Sequence, residues 1–538
     1  MKINKRFNKI IKIIGIISIA LLTILVYISN AVLGTYEIIQ IFLNNIFTII
    51  LLIAIFVALY IFLDKINNIK LKKKTKTILF IALLIIYLIA QILWINIRKA
   101  YPIYDQYEVY NDAKIIAEGN INELIKNEYL QMCPHQITLI TFYALIFKVC
   151  GSTNAVILQY LNAIANTFTI LGLYLIAKII SDKKNTLNSF AVIFLSVAFI
   201  PLSMLSTFVY GDMLGLAFGV FSTYFVIKYV KLQKIKYLII SGILMSLACY
   251  CRTNMLIFFI ALTIYLLIDY IKFIFVTKED KINSKFNKVL KAIIKIVFIC
   301  LFIIICLLPI NLVKSYMSNK LQLEKENQFP TIGYINHGIS YEGYRGPGWY
   351  VDKYIDEWKA NGHNNEILKE RVKSFINEYI HNPIRCFSFF INKIVSIWNE
   401  STFGSVWYNT EFMKINDEEI TKEEFNSYYN LTLSIKDKQL IFIIIGKIIL
   451  IIIYSSIFLL LIRNKNITNE QMLLILIFLG GFAFQLFWEG KSRYILPFVL
   501  MLIPLASIGI KENIQFANSI IKNIKSKRNM INLEKSRR

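Results

Sequence analysis

Isolated carboxylates and arginines set in apolar sequence are the residues of this chain that could do chemistry. Asp212 and Arg252 each interrupt a hydrophobic run with almost no other charge nearby, and charges at a membrane edge are costly enough to mark functional positions. Asp105 stands in a loop with Glu108 and Asp112, while Glu489, Lys491 and Arg493 precede the last apolar run. A carboxylate can take a proton from a hydroxyl as a general base. An arginine, permanently charged and planar, suits a phosphate-like anion. Taken singly, Glu108, Asp112, Glu489 and Lys491 read as ordinary loop polarity. Competing chemistry lacks support. His135, His337, His363 and His381 are scattered without metal-ligand spacing, and no phosphate-cradling glycine loop is present. The glycine-rich stretch 343–349 contains Pro347 and suits a rigid turn.

The elements that must position these residues are hydrophobic helices. Of 538 residues, 57% are hydrophobic and the mean hydropathy is +0.57, which excludes an ordinary soluble domain. Apolar runs cover 9–31, 38–63, 76–96, 154–180, 188–207, 211–230, 236–251, 253–275, 292–313, 439–462, 470–488 and 492–510. At roughly 20 residues per crossing, these predict about 12 transmembrane helices. Residues 236–275 as one helix would measure about 60 Å, twice the hydrocarbon thickness. The chain must therefore turn at Arg252-Thr253-Asn254, and the same argument breaks 188–230 near Tyr210-Gly211-Asp212. Residues 136–149 are too short to span and read as a helix lying in the outer interface.

Orientation follows from the basic clusters. They are Lys2, Lys5, Arg6 and Lys9; Lys65, Lys70, Lys72, Lys73, Lys74 and Lys76; Lys183 and Lys184; Lys231, Lys234 and Lys236. Further on come Lys278, Lys281, Lys285, Lys288 and Lys291; Arg463 and Lys465; and the tail with Lys525, Lys527, Arg528, Lys535, Arg537 and Arg538. Twelve spans put every cluster on one side, the cytoplasm by the positive-inside rule, with both termini there. The net charge of +25 is then attraction to anionic lipid and topology control, not nucleic-acid binding. Outside remain two loops, 97–153 and 314–438, the second carrying Glu324, Glu326, Asp352, Asp356, Glu357, Glu418, Glu419, Glu423 and Glu424. Trp94 and Trp488 fit an aromatic belt. Trp349, Trp358, Trp398 and Trp407 in the large loop are read two ways, as interface anchors or as faces for sugar rings. The seven cysteines make no disulfide framework, and no cleavable signal peptide is expected.

Four segments together carry a resemblance. Tyr104-Asp105-Gln106 leads to Asn111-Asp112-Ala113-Lys114, and Tyr129 through Pro134-His135-Gln136 leads into the interfacial helix. Tyr210-Gly211-Asp212 opens one helix, and Glu489-Gly490-Lys491-Ser492-Arg493-Tyr494-Ile495-Leu496-Pro497 opens the last. This pattern resembles the membrane glycosyltransferases of the protein mannosyltransferase superfamily (glycosyltransferase family 39 and its bacterial relatives), which have the GT-C fold. It covers roughly 97–510, and the Glu…Arg-Tyr…Pro order is its most specific part.

The resemblance implies transfer of a sugar from a polyprenyl-phosphate carrier to a cell-envelope acceptor at the outer face of a bacterial plasma membrane. Asp105 matches the catalytic base, Asp212 the second acidic position, and Arg493 a contact to the carrier phosphate. Glu489, Lys491 and Tyr494 of the same motif are expected to bind substrate, and Arg252 joins them by its place in the topology. Gln106 departs from the family's Asp-Glu pair, so a paired-carboxylate role does not carry over; a divalent cation shared by Asp105 and Asp212 stays open. The expected architecture is an all-α polytopic membrane protein, GT-C-like, with a large outer loop domain of short helices. Its parts are a two-helix addition (1–75), a core (76–313), the large loop (314–438), C-terminal helices (439–510) and a basic tail (511–538). Alternatives are a polysaccharide polymerase or ligase, and a transporter or flippase.

Overall fold

A computed structural model describes residues 2–69, 71–181, 188–276, 282–410, 422–464 and 466–536. Lys70, Lys183, Lys184, Lys278, Lys281, Glu418, Glu419, Lys465, Arg537 and Arg538 lie outside the described residues. Every apolar run becomes helix over most of its length, because a backbone away from water must satisfy its own hydrogen bonds. In order these are α1 (Lys2–Ile28), α2 (Ile46–Asn67) and α3 (Lys73–Arg98). Three shorter segments, α4 (Asp105–Glu118), α5 (Glu128–Met132) and α6 (Ile137–Cys150), follow. The core continues with α7 (Val156–Ile180), α8 (Ser189–Val197), α9 (Ile200–Met204), α10 (Asp212–Leu232), α11 (Ile235–Cys251), α12 (Leu256–Val276) and α13 (Ile282–Lys320). The large loop folds into α14 (Thr331–Ile339), α15 (Asp352–Ala360), α16 (Asn365–His381), α17 (Pro383–Trp398), α18 (Ser405–Thr410) and α19 (Lys422–Asp437). Last come α20 (Gln439–Arg463), α21 (Asn469–Phe487), α22 (Leu496–Leu500) and α23 (Ile503–Ser536).

The expected count of 12 spans is not reached. Among the described residues, nine helices are long and apolar enough to cross a membrane, or eleven if each of two bent pairs is one span. The bends are 50° and 52°. They fall beside Pro201, and beside Pro497 and Pro504, where the missing N–H interrupts the helix ladder. The remaining run, 236–251, is α11, which has only 17 residues, about 25 Å of helix. It lies against α10 and α13.

The start of the second apolar run is a further difference. Residues 39–43 form β2 (Ile39–Leu43), paired antiparallel with β1 (Ser29–Leu33) in the register Ser29↔Leu43 to Leu33↔Ile39. Period-2 burial wins over helix here because β1 buries Ser29, Ala31 and Leu33. The hairpin also docks on the large loop. The Ile39 amide donates to the Arg345 carbonyl at 2.7 Å, and a Cβ on Gly346 would stand 2.4 Å from Ile39 Cγ2. Lys447 Nζ donates to the Ser29 carbonyl at 2.8 Å.

The bundle has two chemically distinct ends. At one, Lys511 meets Asp64 at 3.1 Å, Arg463 meets Glu512 at 2.8 Å, and Asn8 bonds Asn469 at 2.9 Å. At the other stand Asp105, Asp212, Arg252 and Arg493. In the large loop, Trp349, Trp358 and Trp398 are fully buried and Trp407 nearly so. These rings are core, with Trp349 donating to Ser396 Oγ at 3.2 Å and Trp358 to Asn365 Oδ1 at 3.0 Å. The sugar-facing alternative therefore loses its candidates.

Candidate functional site

The site is organised around Tyr210, in the extended turn before α10. Gly211 adopts φ +79°, and a Cβ there would sit 2.3 Å from the Cys251 carbonyl oxygen. Only glycine allows this approach. It brings the start of α10 against the end of α11, so Asp212 meets Arg252. Their Oδ1 and Nε are 3.2 Å apart and both side chains are buried. The contact is an ion pair rather than an aligned hydrogen bond, since Arg252 Nε and Asp212 Oδ2 have no hydrogen-bond partner among the described residues.

Tyr210 joins three predicted residues. Its hydroxyl lies 3.4 Å from Asp105 Oδ2, accepts from Gln136 Nε2 at 2.7 Å, and stands 3.3 Å from the Tyr129 hydroxyl. Its ring faces the Arg252 guanidinium at 4.6 Å and that of Arg493 at 5.5 Å. Asp105 opens α4, follows Tyr104 at φ 50°, and is exposed. Gln106, where the family has an acid, is buried and accepts from the Val209 amide at 2.8 Å. It holds the Tyr210 turn against α4.

Arg493 sits in a short turn, Ser492–Ile495, inside an aromatic cage. Its guanidinium lies 3.9 Å from the Phe208 ring, 5.0 Å from Tyr408 and 5.5 Å from Tyr494. Its Nε and Nη1 are buried without an acceptor among the described residues. Buried unmatched donors on a cation are expensive, and an anionic oxygen would satisfy them. Tyr494 also faces Arg252 at 5.5 Å and holds its hydroxyl 3.5 Å from Glu489 Oε1.

Glu489 and Lys491, ordinary loop polarity when read singly, are parts of this cluster, Glu489 buried and Lys491 half-buried. Burial pushes the Glu489 carboxyl up to about 7, with Lys491 opposing and Asp105 and Glu37 reinforcing the rise. Lys491 is paired with Glu37 at 2.9 and 3.1 Å. Burial alone would lower its affinity for a proton, but Glu37 prevails and holds it well above the usual lysine range. Asp112 is buried too, and burial with Glu108 nearby pushes it up to about 7.

Several residues of the site were invisible in the pattern. Glu37 is one, since it falls in the short break between the runs 9–31 and 38–63, where a lone carboxylate reads as loop polarity. Glu400 is another: fully buried, it accepts from the Thr402 amide at 2.9 Å, the Gly404 amide at 2.7 Å and Ser492 Oγ at 2.7 Å, pinning the Arg493 turn. Lys393 is buried in α17 and donates to the carbonyls of Leu486 at 3.0 Å and Trp488 at 2.8 Å, and to that of Gly338. It closes the end of α21, where four carbonyls lack helical partners. A polar break after an amphipathic helix, Asn399-Glu400-Ser401, was the only available signal.

A cation shared by Asp105 and Asp212 has no support in the geometry. Asp212 is committed to Arg252, and among the described residues no group of three His, Cys, Asp or Glu side chains could hold a metal.

Comparison with known proteins adds the following. Residues 136–308 match the sequence profile of the family described as dolichyl-phosphate-mannose-protein mannosyltransferase. No curated protein sequence matches the chain. Among solved structures it is similar to the archaeal oligosaccharyltransferase AglB from Archaeoglobus fulgidus, in complex with an inhibitory peptide and a dolichol-phosphate. That likeness has 12% identity and a TM-score of 0.39, over 84% of this chain and 52% of the other, so this chain spans about half its length. The matched stretch 136–308 contains Gln136, Tyr210, Gly211, Asp212 and Arg252. The expected resemblance is thereby borne out: over this core the chain is similar to the protein mannosyltransferases of the GT-C superfamily.

Proposed function

We propose that this chain is an integral membrane glycosyltransferase that takes a sugar from a polyprenyl-phosphate carrier and passes it to a hydroxyl of a cell-envelope acceptor. The observation that carries the reading is the gathering of Asp105, Arg252 and Arg493 about Tyr210, with two buried donors of Arg493 unmatched. The family match supports it independently. With α11 counted as a crossing beside the eleven, the crossings are even in number and both termini fall on the side of the basic clusters. The positive-inside rule makes that side the cytoplasm, and the reaction is assigned to the extracytoplasmic leaflet of a bacterial plasma membrane.

In the proposed step, exposed Asp105 takes the proton of the acceptor hydroxyl. The acceptor oxygen bonds to the anomeric carbon as the carbon–oxygen bond to phosphate breaks. The electron pair leaves with the polyprenyl phosphate, whose charge is met by Arg493 and Arg252. A glycosidase needs a second carboxyl to protonate a poor leaving oxygen; a phosphate leaves as an anion and needs none. Asp212 then serves as a positioning residue that aims Arg252, and Lys491, Glu489 and Tyr494 complete the headgroup surroundings.

The test uses the full chain in nanodiscs, with native mass spectrometry of bound undecaprenyl phosphate. Wild type retains the lipid and Arg493→Ala loses it. Equal retention by both would overturn the phosphate site. Transfer from a radiolabelled undecaprenyl-phosphate sugar into a membrane extract, lost in Asp105→Asn, tests the reaction itself.

A further inference from the structure

We infer that the corner between α16 and α17 of the large loop lies in the outer leaflet, with its groove filled by phospholipid acyl chains. This inference does not depend on the reaction proposed above. The two helices already satisfy their own core: Leu368, Val372, Phe375 and Tyr379 of α16 and Phe389 of α17 are buried within the loop. A second apolar set remains uncovered. Ile380 is 68% exposed, Ile384 82% and Phe387 70%, with Ile376 also exposed. These side chains flank the α16–α17 corner at Asn382-Pro383, two from the end of one helix and two from the start of the next, as an exposed hydrophobic knuckle. A soluble loop does not leave such a patch bare.

Beside the knuckle runs a groove of about 310 Å³, lined by Ile335, Val372, Ile376, Ile380, Phe390 and Phe487 among others, and almost wholly by carbon. Only a hydrocarbon ligand suits it. Its position names the occupant. Phe487 is the last residue of the membrane span α21 and is itself exposed. It meets Phe390 of α17 edge-on at 6.2 Å. The groove is thus continuous with the hydrocarbon-facing surface of a span at the point where that span leaves the bilayer. Polar groups rim the knuckle, as expected of an element lying in the interface: Arg385 pairs with Glu378 and stacks on Tyr341 at 3.8 Å, and Lys373 and His381 are exposed. The large loop, which also carries Glu400 and Tyr408 of the site, is thereby tethered to the membrane surface.

The experiment reconstitutes the full native chain in nanodiscs of phosphatidylglycerol and phosphatidylethanolamine. These contain a trace of phosphatidylcholine bearing a diazirine near the end of one acyl chain. After photolysis, labelled peptides are located by mass spectrometry. Label is expected in 376–390 as well as in the spans, and absent from α15 of the same loop. The double variant Ile384→Lys with Phe387→Lys changes only exposed side chains and should reduce the 376–390 label to background while the spans keep theirs. Spans labelled with 376–390 blank in the native chain would overturn the inference. So would label undiminished in the double variant.

Discussion

The Lys491 ammonium lies 2.9 Å from a carboxylate oxygen of Glu37, 454 residues away in the sequence. Glu37 is held there by a hairpin turn in which Tyr36 and Glu37 both adopt positive φ, 58° and 57°. It also faces Arg345 at 3.7 Å, which pairs with Asp352 at 2.6 Å. The N-terminal hairpin, the large loop and the last span's turn therefore share one charge network. Consecutive non-glycine residues in the left-handed region are costly and persist where surroundings enforce them.

Glu37→Gln keeps the shape but removes the charge opposite Lys491. Breaking a mostly buried pair leaves an uncompensated cation, for which about 1–3 kcal/mol of stability is expected to be lost after allowing for partial exposure. The denaturation midpoint in detergent measures this. The Michaelis constant for the lipid donor should change more than kcat, and Glu37→Asp should restore part of the loss.

Asp105→Asn should lower transfer by about 10²–10⁴-fold, the usual contribution of a general base. Asp105 is exposed, so folding and undecaprenyl-phosphate binding should stay at wild-type levels. Single-turnover transfer alongside native mass spectrometry separates the two. Near wild-type transfer would remove Asp105 from the mechanism.

Arg493→Ala should weaken undecaprenyl-phosphate binding by about 1.5–3 kcal/mol, the range for hydrogen bonds to charged groups. Arg493→Lys should recover the charge but not the planar fork, leaving binding intermediate. Asp212→Asn should act in the same direction more weakly, because it loosens Arg252 without removing a cation.

Glu489 titrates near 7 because burial disfavours its anion. Its folded affinity for a proton exceeds the unfolded one, so its contribution to stability is complete below about pH 4.5 and is lost as pH rises to about 7. Glu489→Gln should flatten that part of the stability profile and leave the slope above it unchanged. Chemical denaturation at a series of pH values reads this directly.

Gly211→Ala should destabilise the fold by about 1–3 kcal/mol, since it forces a side chain into a left-handed backbone conformation. The added Cβ also meets the Cys251 carbonyl oxygen at 2.3 Å, separating Asp212 from Arg252. Undecaprenyl-phosphate binding should fall together with the thermal midpoint.

The sequence by itself determined where most of the helices lie. Apolar run lengths set against bilayer thickness placed the turns at Gly211 and Arg252, because a 40-residue apolar run cannot stay within about 30 Å. The short helices expected of the large loop are present, α16 and α17 among them. Charge spacing picked out Asp105, Asp212, Arg252 and Arg493, all of which converge on Tyr210 or its immediate neighbours. Tertiary structure alone decided the rest. Period-2 pairing turned 29–43 into a hairpin, a choice between two apolar conformations that composition does not distinguish. Burial converted Glu489 from loop polarity into site chemistry, pairing with Glu37 did the same for Lys491, and burial turned the loop tryptophans from candidate sugar faces into core. Glu37 and Glu400 became visible only once the chain brought them to Lys491 and Ser492. Burial and long-range pairing are properties of neighbours in space, and local spacing carries no record of which neighbours those are.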